Sequence, residues 1–157
     1  MTEHRDPLAI AIAPGQSILV DTSVVLAYLA GGEKATDLAT RLFDSFVATG
    51  RNMAALSAIT VAEILVRPFR RGPAAVATAE GFLRHFGDLR LIDVTYDVAR
   101  EGARIRAETD LPMPDALIVA SASVAEIDLL VTNDHDWKSR LAKALPDLDV
   151  VVLDAFG

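Results

Sequence analysis

The chain has 157 residues, 52% hydrophobic and 24% charged, a globular composition that suits one domain and excludes a disordered chain. Its net charge of -7 argues against a protein that coats nucleic acid nonspecifically, because phosphate binding relies on Lys and Arg. It leaves room for a nucleic-acid enzyme whose acidic residues gather on a metal. No cysteine is present, so disulfide and thiolate chemistry are excluded, which fits a reducing cytoplasm.

Residues 1–16 read as a weakly ordered lead-in ending at Pro14-Gly15, and 17–157 as a single domain. The apolar part of the lead-in, Leu8 to Ala13, is too short for a signal peptide, with Arg5 its only basic flank. A first strand runs from Ser17 to Val20, and helical patterns follow over Ser23–Ala30 and Lys34–Thr49. A second strand, Met53–Leu56, precedes helices at Thr60–Val66 and Pro73–Phe86. The third strand, Leu89–Val94, carries Arg90 and Asp93 and is therefore expected nearer a sheet edge. Helices at Val98–Glu108 and Asp115–Glu126 lead to a fourth strand, Leu129–Thr132. A helix at Trp137–Leu145 and a fifth strand, Val150–Leu153, close the chain. The most apolar stretch, Ala116 to Val131, is broken by Ser121, Ser123, Glu126 and Asp128 and does not make a membrane span. Strands alternating with helices, four of them apolar nearly throughout, predict a parallel sheet covered on both faces.

Ligands of such sheets bind beyond the carboxyl ends of the strands, so the residues there carry the functional information. Asp21 follows the first strand, where an Asp serves equally as a helix N-cap. Glu63 lies one turn into the helix after the second strand and forms a T-x-x-E capping-box pattern with Thr60. Asp115 stands at the head of an apolar helix, beside Pro114, where an acid complements the helix dipole. Asp134 follows the fourth strand in a turn, with Asp136 the better cap for the next helix. Each has an ordinary structural role available. Together they put four carboxylates at one end of the sheet, which folding alone does not ask for. Such a cluster is self-repelling unless a cation sits in it. An oxygen-only set suits Mg²⁺ or Mn²⁺. Zinc is disfavoured, because His4, His85 and His135 are scattered and there is no cysteine.

The segments "LVDTSVVLAYL", "SAITVAEILV", "LPMPDALIVASA" and "LLVTNDHDW", in this order and spacing, resemble the PIN-domain ribonucleases. Within these, the chain looks most like the VapC-type toxins of bacterial toxin–antitoxin pairs. The resemblance runs from about Ile18 to the end. It implies a three-layer α/β/α sandwich around a five-stranded parallel sheet. It implies that Asp21, Glu63, Asp115 and Asp134 are catalytic and hold one or two Mg²⁺ or Mn²⁺ ions. It assigns supporting polar roles to Ser23, which orients Asp21, and to Thr132 and Asn133. Trp137 stands where the family often has Phe and reads as packing. Asp136 falls in the family's D-x-D segment but has its capping role as an alternative. Arg67, Arg70 and Arg71 are candidate RNA contacts.

The activity so implied is metal-dependent endoribonuclease cleavage by the toxin of a type II toxin–antitoxin system, in the cytoplasm. Its partners are a cognate antitoxin, an RNA substrate and a second copy of the chain, with no membrane. Apolar residues on the helices after the first two strands offer the antitoxin a groove, with Leu26 and Ile64 expected in the core. The alternatives are another metal-dependent phosphate hydrolase and a catalytically silent PIN-like binding module. A haloacid-dehalogenase-type site wants a second Asp two positions after the first, where Ser23 stands. A Rossmann site wants G-x-G-x-x-G after the first strand, which is missing. A silent module is expected to have lost an acid, and all four are present.

Overall fold

The computed structural model describes residues 6–30 and 34–157. Five strands, β1 (Ile18–Val20), β2 (Ala54–Ser57), β3 (Leu89–Ile92), β4 (Leu129–Thr132) and β5 (Asp149–Val152), form one sheet in the order β3-β2-β1-β4-β5. Every pairing is parallel. β3 lies at the edge, as its Arg90 and Asp93 suggest. The helices are α1 (Pro7–Ala11), α2 (Thr22–Ala30), α3 (Lys34–Arg41), α4 (Ala58–Arg71), α5 (Pro73–His85), α6 (Tyr96–Thr109), α7 (Met113–Val124) and α8 (Trp137–Ala144). They cover both faces, giving the expected α/β/α sandwich.

Alternation along the strands divides the core in two. Ile18, Val20, Ala54, Leu56 and Val131 face α1 to α5, where Phe43, Leu42 and Ile64 fill the layer. Leu19, Ala55 and Leu130 face α6 to α8, against Ile105, Ile118 and Trp137. Trp137 is buried, as its packing role requires. Gly102 of α6 lies so close to Leu117 of α7 that an added Cβ would meet the leucine at 2.7 Å. That contact sets α7 tightly against α6.

Several boundaries differ from the sequence reading. The lead-in was expected to be weakly ordered. Its first five residues lie outside the described residues, but the rest is built into the domain. Leu8 of α1 and Ile12, which caps its C-terminus, are buried in the core. Asn52 holds this segment by donating to the carbonyls of Ala13 and Gln16. The helix expected over Lys34–Thr49 changes to a π-helical turn at Leu42–Val47. The helix expected over Thr60–Val66 is longer at both ends: α4 runs from Ala58 to Arg71, through Pro68. Its cap is Ser57, whose hydroxyl accepts from the Ile59 amide, so Thr60 lies inside the helix and the T-x-x-E capping box does not form.

The chain leaves β1 in one direction to build β2 and β3 and returns to its other side for β4 and β5. The crevice between the carboxyl ends of β1 and β4 is therefore the switch point of the sheet, where this topology opens a binding site.

Candidate active site

Val20 pairs with Val131 in the β1–β4 ladder, so Asp21 and Thr132 emerge side by side at the crevice. The Asp21 side chain is 5% exposed, and both its oxygens are occupied. Oδ1 accepts from the Thr22 amide at 2.8 Å. Oδ2 accepts from the Ser23 hydroxyl at 2.8 Å and the Thr132 hydroxyl at 2.9 Å. Each hydroxyl is itself oriented by a backbone amide. Asn133 N–H donates to Ser23 Oγ, and Asp134 N–H donates to Thr132 Oγ1. Two short relays thus run from the β4–α8 loop to one carboxylate oxygen. Asp21 spends its side chain on these contacts, not on a conventional cap at the second or third amide of α2.

Glu63 comes from α4 and is exposed toward the same crevice. Thr22 Oγ1 lies 2.8 Å from Glu63 Oε1 and 2.9 Å from Thr60 Oγ1. A hydroxyl has one proton and an ionised carboxylate only accepts, so Thr22 donates to Glu63 and receives from Thr60. Asp115 sits in the first turn of α7, half-buried. Asp134 is exposed in the β4–α8 loop. Its Oδ1 accepts from the Asp136 amide at 2.9 Å, whereas Asp136 makes no side-chain capping bond. The capping role read for Asp136 therefore does not form, and Asp134 itself makes the turn.

Electrostatics tie the four acids together. The Asp115 carboxyl is pushed up to about 6, first by burial and then by the negative charges of Asp21, Glu63 and Asp134. Burial also raises Asp21, opposed by its two hydroxyls and the Thr22 amide, with Glu63 adding to the rise. The ion pairs of the described residues involve Asp6, Glu101, Glu108 and Asp154, and none of these four. Among the described residues, no three acidic or histidine side chains stand close enough together to grip one ion. Among the described residues, no Lys, Arg or His side chain forms an ion pair with these four acids, so their mutual repulsion is left without such a counter-charge.

A family model for the PIN domain matches residues 18–143. The chain belongs to the PIN domain family. Several solved structures share the PIN domain seen here at low sequence identity. A toxin–antitoxin complex from Klebsiella pneumoniae superposes with a TM-score of 0.64 at 21% identity, covering 83% of this chain and 94% of that one. VapBC2 from Rickettsia felis, bound to a promoter DNA fragment, gives 0.63 at 20% identity, covering 87% and 98%. The Mycobacterium tuberculosis toxin VapC20, which cleaves the sarcin–ricin loop, gives 0.63 at 24%, covering 78% and 93%. No curated protein matches significantly.

The arginines of this PIN domain are placed less simply than the acids. Arg67 and Arg71 line a groove of about 340 Å³ between α2 and α4, with Leu26, Leu29, Ile64 and Pro68. Arg70 is exposed and lies outside that lining. Ile64 is buried as expected, but Leu26 is 40% exposed and belongs to the groove. Thr22 is the residue of the PIN domain's crevice that sequence reading passed over. It stands between Asp21 and Ser23, and its hydroxyl served equally well as a helix-start residue, which hid its reach to Glu63.

Proposed function

We propose that the chain is a metal-dependent endoribonuclease and the toxin of a type II toxin–antitoxin pair, acting in the cytoplasm. The observation that carries this reading is the crevice with four carboxylates that pair with no cation among the described residues, in which Asp115 is pushed up to about 6. The donor set is hard oxygen throughout, which fits Mg²⁺ or Mn²⁺. Asp21, Glu63, Asp115 and Asp134 would hold the ion. A bound divalent ion supplies a water of lowered pKa and stabilises charge on the phosphate and the leaving 3′-oxygen.

The chain's own contribution is positioning and charge. Ser23 and Thr132 fix the plane of the Asp21 carboxylate, and Thr22 fixes Glu63. Asp115 and Asp134 complete the acidic wall from α7 and from the β4–α8 loop. Without an ion, the wall repels RNA phosphates and the reaction does not proceed. Arg67 and Arg71, in the groove between α2 and α4, hold the RNA backbone, with exposed Arg70 beside them on α4.

The partner reading is supported by the groove between α2 and α4. Leu29 and Leu26 expose about two-fifths of their surface there, and two arginines flank them. An amphipathic antitoxin segment with an acidic residue would satisfy both features. A homodimer follows from the resemblance to the toxins. No described helix is long and apolar enough to cross a membrane.

Incubation of the purified chain with total RNA, in Mg²⁺, in Mn²⁺ and in chelator, tests the reading when the cut ends are mapped. Discrete cuts with either ion and none in chelator are expected. A folded chain that cuts nothing under any condition overturns the nuclease and leaves the binding module.

A further inference from the structure

We propose that Asp154 is a positioning residue for the acidic crevice, acting through the loop that carries Asp134. This rests on the reading of that crevice as a metal site. β5 lies beside β4 with Thr132 opposite Val152, so the residues after each strand run side by side. Asp154, in the 3-10 turn Leu153–Phe156, meets the loop twice. Its backbone N–H donates to Asn133 Oδ1 at 3.1 Å. Its Oδ1 lies 2.7 Å from His135 Nε2. A neutral imidazole can donate from Nε2, so this contact needs no particular charge on the ring. The residues on either side of Asp134 are thus held by one residue from the neighbouring strand end.

The anchor is firm. Leu153 is fully buried, and Phe156 packs on the same core. The loop itself is exposed from Asp134 to Asp136. From the β1 side, among the described residues, it is held by the bond from the Asn133 amide to Ser23 Oγ, while the Asp134 amide donates back to Thr132 Oγ1 at the end of β4 itself. Asp154 supplies the opposite hold, and the two together fix where the Asp134 carboxylate stands relative to Asp21.

An exposed pair of this kind contributes little to global stability, so its loss separates positioning from folding. In Asp154→Ala, Mn²⁺ affinity of the metal-free chain, measured by calorimetry, should fall roughly tenfold, the scale seen when a ligand's supporting partner is removed. The melting temperature should stay within about 3 °C. Asp154→Asn keeps the N–H and an acceptor oxygen and should restore affinity to within about twofold. Amide exchange at residues 133–136 should speed up in Asp154→Ala and, less, in His135→Ala, with or without metal. Faster exchange with unchanged Mn²⁺ affinity overturns the positioning role. Unchanged exchange overturns the contact itself. A wild-type chain that binds no Mn²⁺ but shows the exchange difference sinks the metal reading of the crevice, and the role of Asp154 with it, while leaving the loop contact standing.

Discussion

The Thr22 hydroxyl and the Glu63 carboxylate meet at 2.8 Å across the crevice, joining the end of β1 to the first turns of α4. Thr22 also gives its backbone amide to Asp21, so one residue orients two of the four acids by independent groups. Thr22→Val removes only the hydroxyl's part. It should cost about 1 kcal/mol of stability, the usual worth of such a bond. RNA cleavage should fall more, by roughly tenfold, because Glu63 loses its orientation. Glu63→Gln should abolish most cleavage at normal thermal stability, since Ser57, not Thr60 with Glu63, caps α4. Equal turnover in wild type and both variants would remove Glu63 from the site.

Asp21→Asn tests the centre of the crevice. The amide keeps the size of the carboxylate and one accepting oxygen, and it lifts the cost of a buried charge. The fold should survive with a melting temperature near wild type, while Mn²⁺ binding and cleavage are lost. A folded variant that still cleaves RNA at the wild-type rate would assign the chemistry elsewhere.

Metal should stabilise the native chain. An ion at about 100 times its Kd adds about 2.7 kcal/mol if only the folded state binds it, or about 5–10 °C in melting temperature for a chain of this size. Scanning calorimetry with and without Mn²⁺ reads the shift directly, and Asp115→Asn should shrink it. Indifference to millimolar Mn²⁺ would mean that the acids do not assemble around an ion.

Asp115 also makes a pH prediction for the metal-free chain. Its folded-state pKa of about 6 lies above the ordinary 3.8, so the native state binds the proton more tightly than the unfolded state does. Between these values the native chain keeps a proton that the unfolded chain has released, and stability falls as pH rises through the window. Asp21 is raised as well, whereas Glu101 is held below its usual range, chiefly by the Arg104 guanidinium. The comparison is therefore with Asp115→Asn. Urea midpoints should show the variant gaining on wild type from about pH 4 to about pH 7, then running parallel. A constant difference would mean that Asp115 does not feel its neighbours.

The groove makes a prediction about the partner. Leu29→Glu puts a negative charge on an exposed apolar position beside Arg67 and Arg71. Pull-down of the neighbouring small gene product should drop by at least about tenfold, the effect of losing a buried interface anchor, with the melting temperature unchanged. Undiminished capture would place the partner on another face.

The four acids were legible in the sequence because each sits at a strand end or a helix start, where the parallel sheet dictates position. The strands were legible for the same reason: two-sided burial demands apolar runs. Local chemistry proved harder to read. Thr60–Glu63 has the letters of a capping box, but Ser57 reaches the Ile59 amide first. The helix expected to end at Val66 runs on through Pro68 to Arg71, while its apolar side packs with Ile64 in the core. Leu8 and Ile12 sit in a short segment next to Pro14-Gly15, and nothing local reveals that Asn52, some 40 residues on, ties that segment down. The arginines were read by proximity in sequence to Glu63, whereas helix geometry carries Arg67 and Arg71 along α4 into the groove.

The bond between Thr132 and Asp21 spans 111 positions of sequence, and this has a consequence for when the site exists. Contacts of such long range form only after the intervening chain is available to close the loop. During synthesis, β1 and its aspartate emerge early, but the crevice has no second wall until β4 and its loop leave the ribosome and pair. A growing chain therefore lacks the assembled crevice for most of its translation.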